Sequence, residues 1–139
     1  MGRTIPIIKL RDNLIVSIQI ELTDMLVAEL KENVAMEVRV HEVSGLVLEV
    51  SSVDFLDSYI ASSIQQIAKI ASCMGVQTIL AGLDPSVAIT LVEMGADMGV
   101  ETALNLESAL DRLEHEQREE RARDELITEM ILKELEASA

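Results

Sequence analysis

The sequence predicts an α/β fold: a mostly parallel sheet opened by an N-terminal hairpin, helices mainly on one face, and a charged C-terminal helical extension. Three observations carry that expectation. Two β-branched runs, Ile5 to Leu10 and Leu14 to Ile20, are separated only by Arg11-Asp12-Asn13, and the Asp-Asn pair suits the tight turn of a hairpin. From Leu46 onward, short apolar runs (LVLEV at 46–50, VQTILA at 76–81) alternate with helical patterns, which indicates crossover units and parallel pairing. Beyond Leu113 the stretch HEQREERARDE has almost no apolar surface, so it cannot lie on a core along its length.

The elements follow in order. Pro6 belongs near a strand start or a sheet edge, because it has no amide to donate. Thr23 or Asp24 serves as N-cap for a helix whose Leu22, Leu26, Leu30 and Val34 recur at fourfold spacing beside Met25. That helix is expected to run to about Val43, stopped by Ser44-Gly45. Leu46 to Val50 reads as a strand covered on both faces. The connection from Ser51 to Asp57 leads into a helix over Tyr59 to Met74, with Ile60, Ile64, Ile67, Ala68 and Ala71 on one face and Gly75 ending it. Val76 to Ala81 is a second buried strand. Asp84 caps and Pro85 begins the next helix, with Val87, Leu91 and Met94 inward. Val100 to Ala103 is a short edge segment, and Asn105 caps a helix through Leu106, Ala109, Leu110 and Leu113. This sets a domain over 1–113 and a charged extension over 114–139. Glu, Arg, Leu and Ala favour helix in the extension, and Leu126, Ile127, Met130, Ile131 and Leu135 form a second apolar stripe. It either projects as a helix whose last turns dock on a partner, or frays.

Composition narrows the function. The chain has 139 residues, a formal net charge of −14, 11 basic residues against 25 acids, and 1% aromatic content. Phosphate backbones are bound by neutralising them, and single strands by stacking on aromatic faces; basic residues are outnumbered by acids and aromatics are nearly lacking, so no nucleic-acid partner is expected. A single cysteine, Cys73, forms no internal disulfide and suggests a reducing compartment. The start MGRTIPIIKLRDN lacks the apolar core of a secretory signal, and no apolar run reaches the ~18 residues of a membrane span. A cytoplasmic protein without membrane partners is expected.

No catalytic constellation emerges, and no enzyme is expected. One cysteine and two distant histidines, His41 and His115, give no metal-ligand spacing, and glycine-rich nucleotide loops and a Gly-x-Ser-x-Gly elbow are missing. No cofactor is expected. Phospho-aspartate chemistry of the receiver type needs an acidic pair after the first strand and a late lysine. Here the first strands end in Arg11-Asp12-Asn13 and Glu21, and no lysine follows a late strand. What stands out is Asp54-Phe55-Leu56-Asp57-Ser58, between a buried strand and a helix. By spacing alone, Asp57 or Ser58 is simply a helix N-cap. The same free amides and helix dipole also suit a phosphate on Ser58.

Three segments, IPIIKLRDNLIVSIQIELTD at 5–24, SSVDFLDSYIA at 51–61 and AGLDPSVAITLVEMG at 81–95, together with the element order, resemble the STAS domain of anti-sigma-factor antagonists, over about residues 4–113. Within that family the chain looks most like the RsbS branch, the single-domain scaffolds of the bacterial stressosome. The resemblance implies the STAS fold and a phosphorylated serine at Ser58, with Asp57 immediately before it; Asp54, Asp57 and Tyr59 are expected to support the phosphosite or partner surface. It implies a scaffold that sequesters an RsbT-like serine kinase, assembles with itself and with RsbR-type paralogues, and is reset by a phosphatase, in control of a general stress response. RsbR-type domains carry a second phosphorylatable threonine where this chain has Ala81, which points to a single-site protein. The other reading left open is a freely diffusing, SpoIIAA-like antagonist regulated at the same serine.

Overall fold

The structure is a computed structural model that describes residues 5–19, 21–93, 95 and 99–138. β1 (Ile7–Leu10) and β2 (Asn13–Ser17) form the expected hairpin, antiparallel with Leu10 opposite Asn13. The two turn residues are thus Arg11 and Asp12, and Asn13 already belongs to the strand. Arg11 takes the left-handed conformation (φ 54°) that a two-residue hairpin turn demands at its first position.

β3 (Gly45–Glu49), β4 (Gln77–Ala81) and β5 (Glu101–Ala103) then pair in parallel, in the order β1-β2-β3-β4-β5. The connecting helices are α1 (Asp24–His41), α2 (Ser58–Cys73) and α3 (Pro85–Glu93). Because each strand is added on the same side of the last, crossovers of one hand carry all three helices to one face. The packing follows: Leu14, Val16, Leu46, Leu48 and Leu80 meet Val27, Leu30 and Val34 of α1, Ile64 and Ile67 of α2, and Leu91 of α3. The alternate side chains of the same strands, Ile15, Val47 and Ile79, meet Ala109 and Leu113 of the last helix on the opposite face. Period-two alternation splits one sheet between two cores, which is why β3 and β4 read as continuous apolar runs.

α1 departs from the sequence reading in two respects. Thr23 is its N-cap, accepting from the Leu26 amide at 3.2 Å, but its buried face is Val27, Leu30, Val34 and Val38. Leu22 is buried ahead of the helix, Leu26 is half-buried, and Met25 is exposed. The helix stops at His41, short of Val43, because Glu42 turns left-handed (φ 51°) and its amide bonds the Val38 carbonyl. On α2, Ile64, Ile67 and Ala71 are buried as expected, joined by Ala61 and Ser63, whereas Ile60 and Ala68 are half-buried. Val87 and Leu91 are the inner residues of α3; Met94 and Ile20 lie outside the described residues.

α4 (Leu106–Ala137) is a single 32-residue helix, capped by Asn105 whose side chain accepts from the Ser108 amide at 2.8 Å. It runs through Leu113 without a break, and the extension is helical. Its middle touches the hairpin turn: Glu114 pairs with Arg11 at 2.8 Å, Gln117 Nε2 donates to Asn13 Oδ1 at 2.7 Å, and Arg121 lies 3.6 Å from Asp12. Beyond Gln117 every described residue of the helix is exposed.

Candidate functional site

The loop 51–57 leaves the carboxyl end of β3 and is tied down at three points. The Ser51 amide donates to Glu49 Oε1 at 2.9 Å, the Val53 amide to the Val50 carbonyl at 2.9 Å, and Leu56 is buried in the core. Burying Leu56 turns its neighbours Phe55 and Asp54 outward, and Phe55 is 71% exposed.

Asp57 is the N-cap of α2: its backbone is extended (φ −94°, ψ 178°) and its Oδ1 accepts the Ile60 amide at 2.8 Å. The choice that spacing left open is thereby settled. Ser58 is the first helical residue, is exposed, and among the described residues its hydroxyl has no hydrogen-bond partner. Its oxygen is free for modification, beside first-turn amides that carry the positive end of the helix dipole.

Asp54, Asp57 and Tyr59 are brought together: all three line one concavity of about 290 Å³, and Ser58 lies between the last two in sequence. Ile18, Leu22, Val53 and Ile60 supply its apolar lining, Glu21 adds a third carboxylate, and among the described residues none that line it is basic. Sequence reasoning had not assigned Gln19, Glu21 and Leu22 to this site, because they follow β2 and are about 30 positions from the loop. Only the parallel pairing of β2 with β3 brings them alongside.

Asp24 was also missed as a site residue, having been read only as a possible cap. It and Tyr59 share the groove between α1 and α2. The Tyr59 phenol is raised from its ordinary pKa, first by hydrogen bonding to the Asp24 carboxylate, then by desolvation and the Asp24 charge, with Asp57 adding to it. Tyr59 thus stays a neutral donor, aimed at a carboxylate that would repel its ionised form. Ser63, one turn on, donates to the Tyr59 carbonyl at 2.8 Å.

Ala81, at the position of the second modifiable residue of RsbR-type domains, is fully buried at the end of β4, followed by Gly82 with φ 81°. The histidines hold no joint site: His41 pairs with Glu37 at 2.9 Å and His115 with Glu119 at 3.1 Å, each one helical turn along its own helix. Among the described residues no helix is long and apolar enough to cross a membrane.

Comparison with known proteins agrees with this architecture. The family model of the STAS domain matches residues 4–109. The structure of Moorella thermoacetica RsbS, in its S58E variant, superposes with a TM-score of 0.70 at 36% identity, covering 82% of this chain and 97% of that one. A chain from the stressosome, described as a signal integration and transduction hub, gives 0.71 at 37% identity over 81% and 99% of the two chains. The anti-sigma factor antagonist SpoIIAA, unphosphorylated, shares the fold at 15% identity with a TM-score of 0.60, covering 80% of this chain and 98% of its own. The chain belongs to the STAS domain family.

Proposed function

We propose that this protein is a non-catalytic, cytoplasmic signalling scaffold of a stressosome-like complex. It holds an RsbT-like serine kinase and releases it when Ser58 is phosphorylated, so controlling a general stress response. One observation carries the reading: the helix-capping task falls to Asp57, leaving the Ser58 hydroxyl exposed and uncommitted between two residues of an apolar-lined, acidic concavity. The likeness to RsbS supports it, since that relative is known with a serine-to-glutamate exchange, S58E, and a carboxylate there carries charge as a phosphoserine does.

Phosphorylation adds a charge of about −1.5 to −2. At an exposed helix start the dipole contributes only about 0.3–1 kcal/mol, so the domain stays folded. The partner responds differently. A dianion beside Asp54, Asp57 and Glu21, or desolvated under a docked surface, costs several kcal/mol, and about 3 kcal/mol is a hundredfold in affinity. The switch therefore acts on binding and leaves the fold intact, and a phosphatase acting on Ser58 resets it.

Mixed with an RsbR-type paralogue, the scaffold elutes as a very large particle that retains the kinase, and Ser58→Asp holds the kinase weakly. A complex that stays small selects instead the diffusing, SpoIIAA-like antagonist, for which the 15% identity supports only a shared fold.

A further inference from the structure

The far half of α4 is an amphipathic helix that nothing in its own domain covers. Leu126, Ile127, Met130, Ile131, Leu132 and Leu135 are each more than half exposed. This segment also lies beyond what the chain shares with its relatives: the family model ends at 109, and RsbS is covered over 97% of its length by 82% of this chain. At 100° per residue, Arg123, Ile127, Met130, Glu134 and Ala137 follow one another at spacings of four and three along a single seam, the a/d geometry of paired helices.

We propose that this seam is a dimerisation surface whose occupant is the same segment of a second copy, running antiparallel. Charge decides both the partner and the direction. In an antiparallel pair centred between Ile127 and Met130, those two residues face each other across the dyad. Arg123 then faces Glu134 along the same seam, a pairing that occurs twice by symmetry. A parallel, in-register pair instead sets Arg123 against Arg123 and Glu134 against Glu134 within the seam, where like charges are costly. The antiparallel register sets each charge of the seam against its opposite while closing the apolar centre. An anionic lipid surface is a poor occupant, because residues 124–136 hold five acids and one lysine. The surface is separate from Ser58, so Ser58→Ala leaves it intact.

Sedimentation equilibrium of the full chain at micromolar concentrations tests this. A reversible dimer is expected. Arg123→Glu or Glu134→Arg alone raises the dissociation constant about tenfold or more, because either single exchange makes two like-charge contacts. Combining the two restores wild-type affinity, and only an antiparallel register does so. Both positions are exposed on a helix and both replacements favour helix, so loss of folding does not intervene. Ile127→Asp abolishes the dimer. A wild-type monomer throughout, self-association unmoved by these exchanges, or a double exchange that stays as weak as the singles overturns the proposal.

Discussion

Gln117 Nε2 donates a 2.7 Å hydrogen bond to Asn13 Oδ1, joining the last helix to the first residue of β2 across 104 positions of sequence. Asn13 is fully buried, and its Nδ2 has no partner among the described residues. Gln117 therefore satisfies half of a buried amide that otherwise goes unpaired, at a cost of about 1–3 kcal/mol. The domain boundary proposed at 113 can be placed with two truncations. A chain ending after Leu113 folds cooperatively but loses about 1–3 kcal/mol in urea denaturation; one ending after Arg123 keeps full monomer stability. A Leu113 truncation without a cooperative transition would show that the folding unit includes the start of the extension.

Gly45 faces the same amide. A Cβ on it would stand 2.1 Å from Asn13 Oδ1 and 3.0 Å from both Gln117 Nε2 and Leu113 Cδ1. Gly45→Ala must displace the buried Asn13 side chain, and over-packing of this kind costs about 1–3 kcal/mol. Thermal unfolding of the variant reads this directly. Gly75, around which there is open space, offers a contrast in kind: its φ of 78° disfavours alanine by strain alone.

Asp57 and Ser58 separate by function. Asp57→Ala removes the cap on the Ile60 amide and costs about 1 kcal/mol of stability. Ser58→Ala changes stability by less than about 0.5 kcal/mol, as an exposed surface substitution does. Denaturant midpoints of the two variants check this; equal losses would mean that the Ser58 hydroxyl also has a structural task.

Tyr59 is the only tyrosine, and there is no tryptophan, so ultraviolet titration reports on it alone. It ionises above its ordinary value of 10.0 because of Asp24. A raised folded pKa means that stability from this group is present below the unfolded pKa and is lost as pH rises through the folded one. Asp24→Asn lowers the midpoint towards the ordinary value. A phosphate on Ser58, the adjacent residue, raises it further, making the phenol a reporter of the modification. A midpoint that ignores both changes would remove Asp24 from the site.

The N-terminal hairpin, the parallel pairing and the identity of the strands were legible because apolar runs and punctuating Gly, Pro and Asn residues carry them. The inner face of α1 was not. Leu22, Leu26, Leu30 and Val34 fit a fourfold series as well as Val27, Leu30, Val34 and Val38 fit a helical one, and the position of Thr23 as cap puts Leu22 outside the helix. The clasp of α4 on the hairpin is made of Arg11, Asp12, Asn13, Glu114, Gln117 and Arg121, all polar, so hydropathy patterning is blind to it. At the site, Asp54 to Tyr59 could be read because they are contiguous, whereas Glu21 and Asp24 reach it only through the pairing of β2 with β3 and the packing of α1 on α2.

The central claim is tested most directly by intact-mass measurement of the chain incubated with an RsbT-like kinase and ATP, with kinase retention followed in the same samples. The wild type should gain one phosphate, mapped to Ser58, and release the kinase, whereas Ser58→Ala should gain none and keep it. A phosphate on another residue, no phosphate at all, or a Ser58→Ala variant that releases the kinase as the wild type does would contradict the account.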